Sequence, residues 1–199
     1  MEKRSINFEL RAKPESRTIF GTATVFNSSY DMGWYDEEMS PESLNEADMK
    51  DVVALFNHDM NMVLARTSSG TLKLNVTGNA MEYEFEAPNT TLGNDLLEMV
   101  KRGDVYQSSF AFTVEAEDWQ ERQGMKPKRV IRSIKKVYDV SPVTYPANPD
   151  TMVAKRSYEA TKEIDKDLQT IIDISVKSEI NIQNELRRNA LHLLNLKTK

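Results

Sequence analysis

With 199 residues and a formal net charge of −5, the chain suits one compact domain with an appendage, and its acid excess argues against generic nucleic-acid binding. It has no cysteine, which excludes disulfides, thiolate metal sites and cysteine nucleophiles, and its two histidines, His58 and His192, are too few and too far apart for an ordinary zinc site. No apolar run approaches the ~20 residues that cross a bilayer, and Met1–Ser5 leads into Phe8-Glu9-Leu10 without a signal-peptide core. The expectation is a cytoplasmic protein with no cofactor, no membrane partner and no nucleic-acid partner; an all-carboxylate Mg²⁺ or Ca²⁺ site stays open.

In chain order, Ile6, Phe8 and Leu10 alternate with polar residues, and Thr18–Phe26 is rich in β-branched and aromatic types; both predict strands. Ser40-Pro41-Glu42-Ser43-Leu44 has the N-cap serine and first-turn proline of a helix start. Val52–Phe56 reads as an apolar strand ending in Asn57-His58-Asp59. Leu72, Leu74 and Val76 alternate after a Ser-Ser-Gly turn, and Met81, Tyr83 and Phe85 alternate after Thr77-Gly78-Asn79. A helix is expected over Asn89–Gly103, with polar caps and a terminal glycine.

Phe110, Phe112 and Val114 alternate again, and Val130–Val137 pairs back on them around Gly124. Tyr138–Pro149 carries three prolines, which predict a stiff extended segment outside any central strand. From Tyr158 onward seven acids meet seven bases, prolines vanish, and Ile164, Leu168, Ile172, Val176 and Ile180 recur every four residues, continued by Leu186, Ala190, Leu191 and Leu194. This predicts an amphipathic helix or helical hairpin. The fold class is therefore α+β: a mostly antiparallel, closed or nearly closed β-barrel with flanking helices over residues 1–157, and a helical tail over 158–199 joined through an exposed linker at Lys155-Arg156-Ser157.

No Gly-rich phosphate loop, dinucleotide fingerprint or Gly-x-Ser-x-Gly elbow is present. His58 is the body's only histidine and so its only side chain suited to proton transfer near neutral pH. Taken alone it reads equally as a histidine bonded to Asp59 or to a backbone carbonyl. In Ser108-Ser109-Phe110-Ala111-Phe112, strand alternation puts Ser108 with the two phenylalanines and Ser109 with the small Ala111 and Thr113, which favours Ser109 as a nucleophile; taken alone both are ordinary strand serines. Asp139 could orient His58, or simply cap the turn that follows it. Asp59 is the rival acid, but a neighbour in a strand points to the opposite face.

Asn57-His58-Asp59 with Val63–Leu72, Gly103–Phe112, and Tyr138–Ala147, together with Phe20–Asn27, resemble four blocks of the tailed-bacteriophage prohead maturation proteases, in the same order and over about residues 5–156. Gln107-Ser108 and Ala111 depart from the family pattern, which more usually has Gly-Met and glycine there, and Asp139 stands where the family often has glutamate. The resemblance implies a herpesvirus assemblin-like barrel and a serine endopeptidase with Ser109 as nucleophile, His58 as base and Asp139 as acid. It implies action inside the assembling procapsid in the host cytoplasm, on the major capsid protein's extension or its scaffold segment and on the enzyme itself, with room for homo-oligomers. Arg66 and Gly103 are candidates for binding substrate or the oxyanion, and the tail for targeting or for self-removal at the linker. The alternative is a catalytically silent scaffold or chaperone module.

Overall fold

The computed structural model describes residues 1–6, 10–13, 15–145 and 151–197, and gives the backbone alone for residues 5, 6, 151–153, 180–182 and 184–197. Two compact units divide it, Met1–Thr151 and Met152–Lys199.

The first unit is built on one long hairpin. Strand β10 (Gln107–Gln120) and strand β11 (Lys128–Val143) pair antiparallel around Gly124, which takes a left-handed φ of 71°. Register shifts between Ala111 and Glu117 bend the ribbon. The free edge of β10 is covered by β1 (Glu2–Ile6). Along its other edge β11 takes two parallel partners in turn: β5 (Asp36–Met39) beside Lys128–Ile131, and β6 (Val53–Phe56) beside Asp139–Val140. β4 (Ser29–Asp31) adds to β5, and β7 (Asp59–Arg66) adds to β6, completing a seven-stranded sheet.

A second, wholly antiparallel sheet runs in the order β2 (Arg11–Ala12), β3 (Thr18–Val25), β9 (Ala80–Glu86), β8 (Leu72–Val76). Alternation along β3 and β9 sends Ile19, Ala23, Met81, Tyr83 and Phe85 inward, where they join Phe110, Phe112, Ile134, Val137 and Val140 of the hairpin in one core. Helix α1 (Thr91–Arg102) contributes Leu96, Leu97 and Val100 to it. The Thr90 hydroxyl accepts from the Gly93 N–H at one end of α1, and Gly103 closes the other end in the left-handed conformation.

Three expectations are corrected. The sheets do not close into a barrel among the described residues: β10 and β3 pack face to face without pairing, and closure needs an unbroken ladder. Alternation in the sequence is the same for a two-sheet packing and a barrel, so it could not separate them. The proline-bearing segment is a central strand as far as Val143. Pro142 turns its carbonyl to the Asn57 N–H, on the edge away from β10 and beyond the end of β6, so its missing N–H leaves no ladder bond unmade. Pro41 begins a single 3₁₀ turn, Pro41–Leu44, and not a longer helix; the Ser40 hydroxyl bonds the Glu42 carboxylate and leaves the backbone uncapped.

The second unit is one helix, α2 (Thr151–Lys197), of 47 residues and without a hairpin. Lys155-Arg156-Ser157, expected as a linker, lies within it, because nothing from Ala154 onward breaks a helix. Ile164, Leu168, Ile172 and Val176 are exposed on α2; the rest of the expected stripe, Ile180, Leu186, Ala190, Leu191 and Leu194, has its side chains outside the described residues. So do Phe8 of the first expected strand and Pro146 and Pro149 of the proline-bearing segment. No described helix is long and apolar enough to cross a membrane.

Candidate active site

The site forms where β10, β11 and the turn between β6 and β7 meet. β10 and β11 are in register with Ser109 opposite Ser141 and Ala111 opposite Asp139, so Ser109, Ser141 and Asp139 share one face. Ser108 lies on the other face, against the core, where its hydroxyl meets the Tyr83 hydroxyl at 2.8 Å. Tyr83 is fully enclosed and burial holds its phenol well above the ordinary range, so it serves Ser108 as a neutral hydroxyl.

His58 comes from a tight turn. Phe56 pairs with Asp59 across two residues, Asn57 and His58, whose φ values are 54° and 57°. Two successive left-handed residues make the type I′ hairpin, for which asparagine is suited and histidine tolerated. The turn is clamped from the side. The Asn57 N–H donates to the Pro142 carbonyl at 2.9 Å, and the Asn57 side-chain oxygen accepts from the Thr144 N–H at 2.9 Å. The end of β11 and Thr144 just after it therefore hold the backbone that aims the imidazole.

Ser109 Oγ is 2.6 Å from His58 Nε2, and His58 Nδ1 is 2.6 Å from Asp139 Oδ1. A carboxylate only accepts, so Nδ1 carries the proton toward Asp139 and Nε2 is free to accept from the Ser109 hydroxyl. The His58 and Asp139 side chains are 5% and 7% exposed, which leaves little water to compete for these bonds. Chemically this is a hydroxyl beside a base whose tautomer is fixed by an acid. Asp59, the rival acid, accepts from the backbone and side chain of Asn61 instead.

Two neighbours were not foreseen. The Arg4 carbonyl on β1 lies 2.9 Å from Ser109 Oγ, a second acceptor for the same hydroxyl, and Ser109 itself has no exposed surface. Ser141 Oγ donates to Asp139 Oδ1 at 2.7 Å and lies 3.3 Å from His58 Nδ1. Spacing could have found Ser141, since residues two apart in a strand share a face, but Arg4 enters through its backbone and leaves no mark on the sequence.

Arg66 and Gly103 are not brought to this cluster. Arg66 sits on β7, beyond β6 from Asp139, and its guanidinium is paired with Asp51 at 2.7 and 2.5 Å. The Gly103 N–H is used by the end of α1, bonding the Val100 carbonyl at 3.1 Å. Among the described residues no group of three or more histidines, cysteines and carboxylates could hold a metal ion.

No curated protein and no solved structure matches the chain. The family model described as caudovirus prohead serine protease matches residues 6–164, a span that takes in the serine, the histidine, the aspartate and the strands that carry them. The chain belongs to the caudovirus prohead serine proteases.

Proposed function

We propose that the protein is a serine endopeptidase of procapsid maturation in which Ser109 is the nucleophile, His58 the general base and Asp139 the residue that orients it. The observation that carries the reading is the unbroken chain of two 2.6 Å contacts from Ser109 through His58 to Asp139. In the first half-reaction Oγ attacks a peptide carbonyl carbon while Nε2 takes its proton. The C–N bond then breaks and the imidazolium returns that proton to the leaving amine. In the second half-reaction His58 takes a proton from water as it attacks the acyl carbon, the bond from that carbon to Ser109 Oγ breaks, and the imidazolium returns the proton to Oγ.

The substrates are the scaffold segment or N-terminal extension of the major capsid protein, and the enzyme itself. Ser109 is fully covered, so attack on a peptide requires part of its surroundings to move. That suits a protease held silent until it is enclosed with its substrate. In this reading the body carries the chemistry, and the exposed apolar residues of α2 engage scaffold or capsid-protein helices.

The test is co-expression of the wild-type chain or Ser109→Ala with the major capsid protein, followed by intact-mass measurement of every product. Loss of the nucleophile lowers turnover by on the order of a million-fold. Shortened products with wild type and none with the variant are expected. If procapsids form and neither chain cuts anything, the silent assembly module becomes the better account.

A further inference from the structure

We propose that Ser141 is a positioning residue of this site, acting through Asp139 on His58; this rests on the reading of His58 as the base. Ser141 is fully buried on the central strand β11, two residues after Asp139 and directly opposite Ser109. Its hydroxyl has one proton, and the acceptor at 2.7 Å is Asp139 Oδ1, the same oxygen that faces His58 Nδ1. The serine therefore fixes one carboxylate oxygen from the side while the imidazole meets it from the front. A carboxylate held only by His58 would be free to turn about its last bond, and the ring would lose its aim at Ser109 Oγ.

The hydroxyl also sets the charge that the imidazole feels. A donor on Oδ1 draws off part of its negative charge, which weakens the hold of Asp139 on an imidazolium. The 3.3 Å contact from Ser141 Oγ to His58 Nδ1 acts in the opposite sense, as a weak acceptor, but it is longer and shares its proton with Oδ1. The shorter bond to a charged group prevails. Removing the hydroxyl thus does two things: it loosens the geometry and it makes His58 easier to protonate.

Ser141→Ala deletes one atom from a strand, so the fold is expected to survive. The first measurement uses the full chain with Ser109→Ala, which cannot cut itself, with and without Ser141→Ala. The chain has two histidines, so the imidazole NMR signals of His58 are separable from those of His192 by a His192→Gln control. The titration midpoint of His58 is expected to move to higher pH when Ser141 is replaced. The second measurement is turnover of a capsid-extension peptide with Ser109 intact. Ser141→Ala should lower kcat about ten- to a hundredfold, leave KM within about twofold because no substrate contact is lost, and move the acid limb of the rate profile upward. Ser141→Thr, which keeps the hydroxyl, should return the His58 midpoint toward that of the parent.

A midpoint that stays or falls, or a kcat that does not change, overturns the positioning role while the protease reading stands. Inactivity of the parent enzyme itself would count against the protease reading, and the NMR comparison in the Ser109→Ala chain would still decide whether Ser141 tunes His58.

Discussion

The far end of the hairpin invites the most direct test of how this unit is held together. Arg129 is 1% exposed, and its guanidinium meets Glu2 at 2.7 and 2.9 Å, Glu37 at 2.9 Å and Glu117 at 2.8 Å. Arg4 bonds Glu2 and Glu37 from the other side. Arg129→Met keeps an unbranched apolar stem and removes the guanidinium, leaving Glu2 and Glu37 with Arg4 alone and taking the Arg129 partner from Glu117. Breaking a buried pair by deleting one partner costs about 3–5 kcal/mol, since the remaining charges stay desolvated. For a unit of this size each kcal/mol is worth about 2–4 °C, so a fall in Tm of roughly 6–20 °C is expected. Both tryptophans of the chain report on the event: Trp34 and Trp119 stack with centroids 5.6 Å apart, and Arg129 lies over Trp119 at 5.9 Å. Thermal unfolding followed by tryptophan fluorescence is the assay. Arg132→Met is the control, because its partner Asp118 and Arg132 are each about half exposed and such pairs contribute less than about 1 kcal/mol. Equal losses in the two variants would refute the argument. Acidity supplies a second check. Burial alone would raise the Glu2 pKa, but the Arg129 hydrogen bond and the charges of Arg4 and Arg129 outweigh it and leave it depressed. A depressed carboxylate stabilises fully above its unfolded value and loses that contribution as pH falls through the folded one, so the deficit of Arg129→Met should narrow in acid.

Four further outcomes follow from the same geometry. Asp139→Asn keeps the shape of the acid but not its charge, and kcat for a cleavable peptide should fall about 10⁴-fold through loss of the correct imidazole tautomer. Tyr83→Phe strands the buried Ser108 hydroxyl and should cost about 1–3 kcal/mol in urea unfolding, most of it recovered in the double variant with Ser108→Ala. Gly21→Ala places a methyl within 2.7 Å of the enclosed Tyr83 ring and hydroxyl and should cost about 1–3 kcal/mol by the same assay. Arg66→Gln, by contrast, breaks only a solvated pair with Asp51, and kcat should stay within about twofold.

What could be read in advance divides along the source of burial. β3, β8, β9, α1 and the β10–β11 hairpin bury apolar side chains, and their periodicity is visible in the sequence. β5 is Asp-Glu-Glu-Met and β1 is Glu-Lys-Arg-Ser-Ile, strings that resemble solvated loops. Both are strands because Glu37, Glu2 and Arg4 are buried by pairing with each other and with Arg129, and no hydropathy pattern marks ion pairing between residues so far apart in the chain. The site was legible for the opposite reason. His58 is the body's only histidine, strand alternation favoured Ser109 over Ser108, and the resemblance of the blocks brought Asp139 in as the acid. Arg66, expected as a candidate for substrate or the oxyanion, is paired with Asp51, a partner that spacing in the sequence does not reveal.

The clamp on the histidine turn shows how separate blocks of the sequence depend on one another. A type I′ turn puts His58 in a left-handed backbone that few residues other than glycine adopt, so contacts elsewhere in the chain help to keep it. They lie 87 residues away, where Thr144 bonds the Asn57 side chain and Pro142 accepts from its N–H. Pro142 is on the strand that carries Asp139 and Ser141, Thr144 follows the end of that strand, and the strand is paired with Ser109. One rigid element, β11, therefore fixes the acid directly, the base through Asn57 and the nucleophile through the ladder. Asn57, Pro142 and Thr144 touch none of the reacting atoms, yet their part of the sequence is as informative as the three residues they align, because without them the 2.6 Å contacts would have no backbone to hold them.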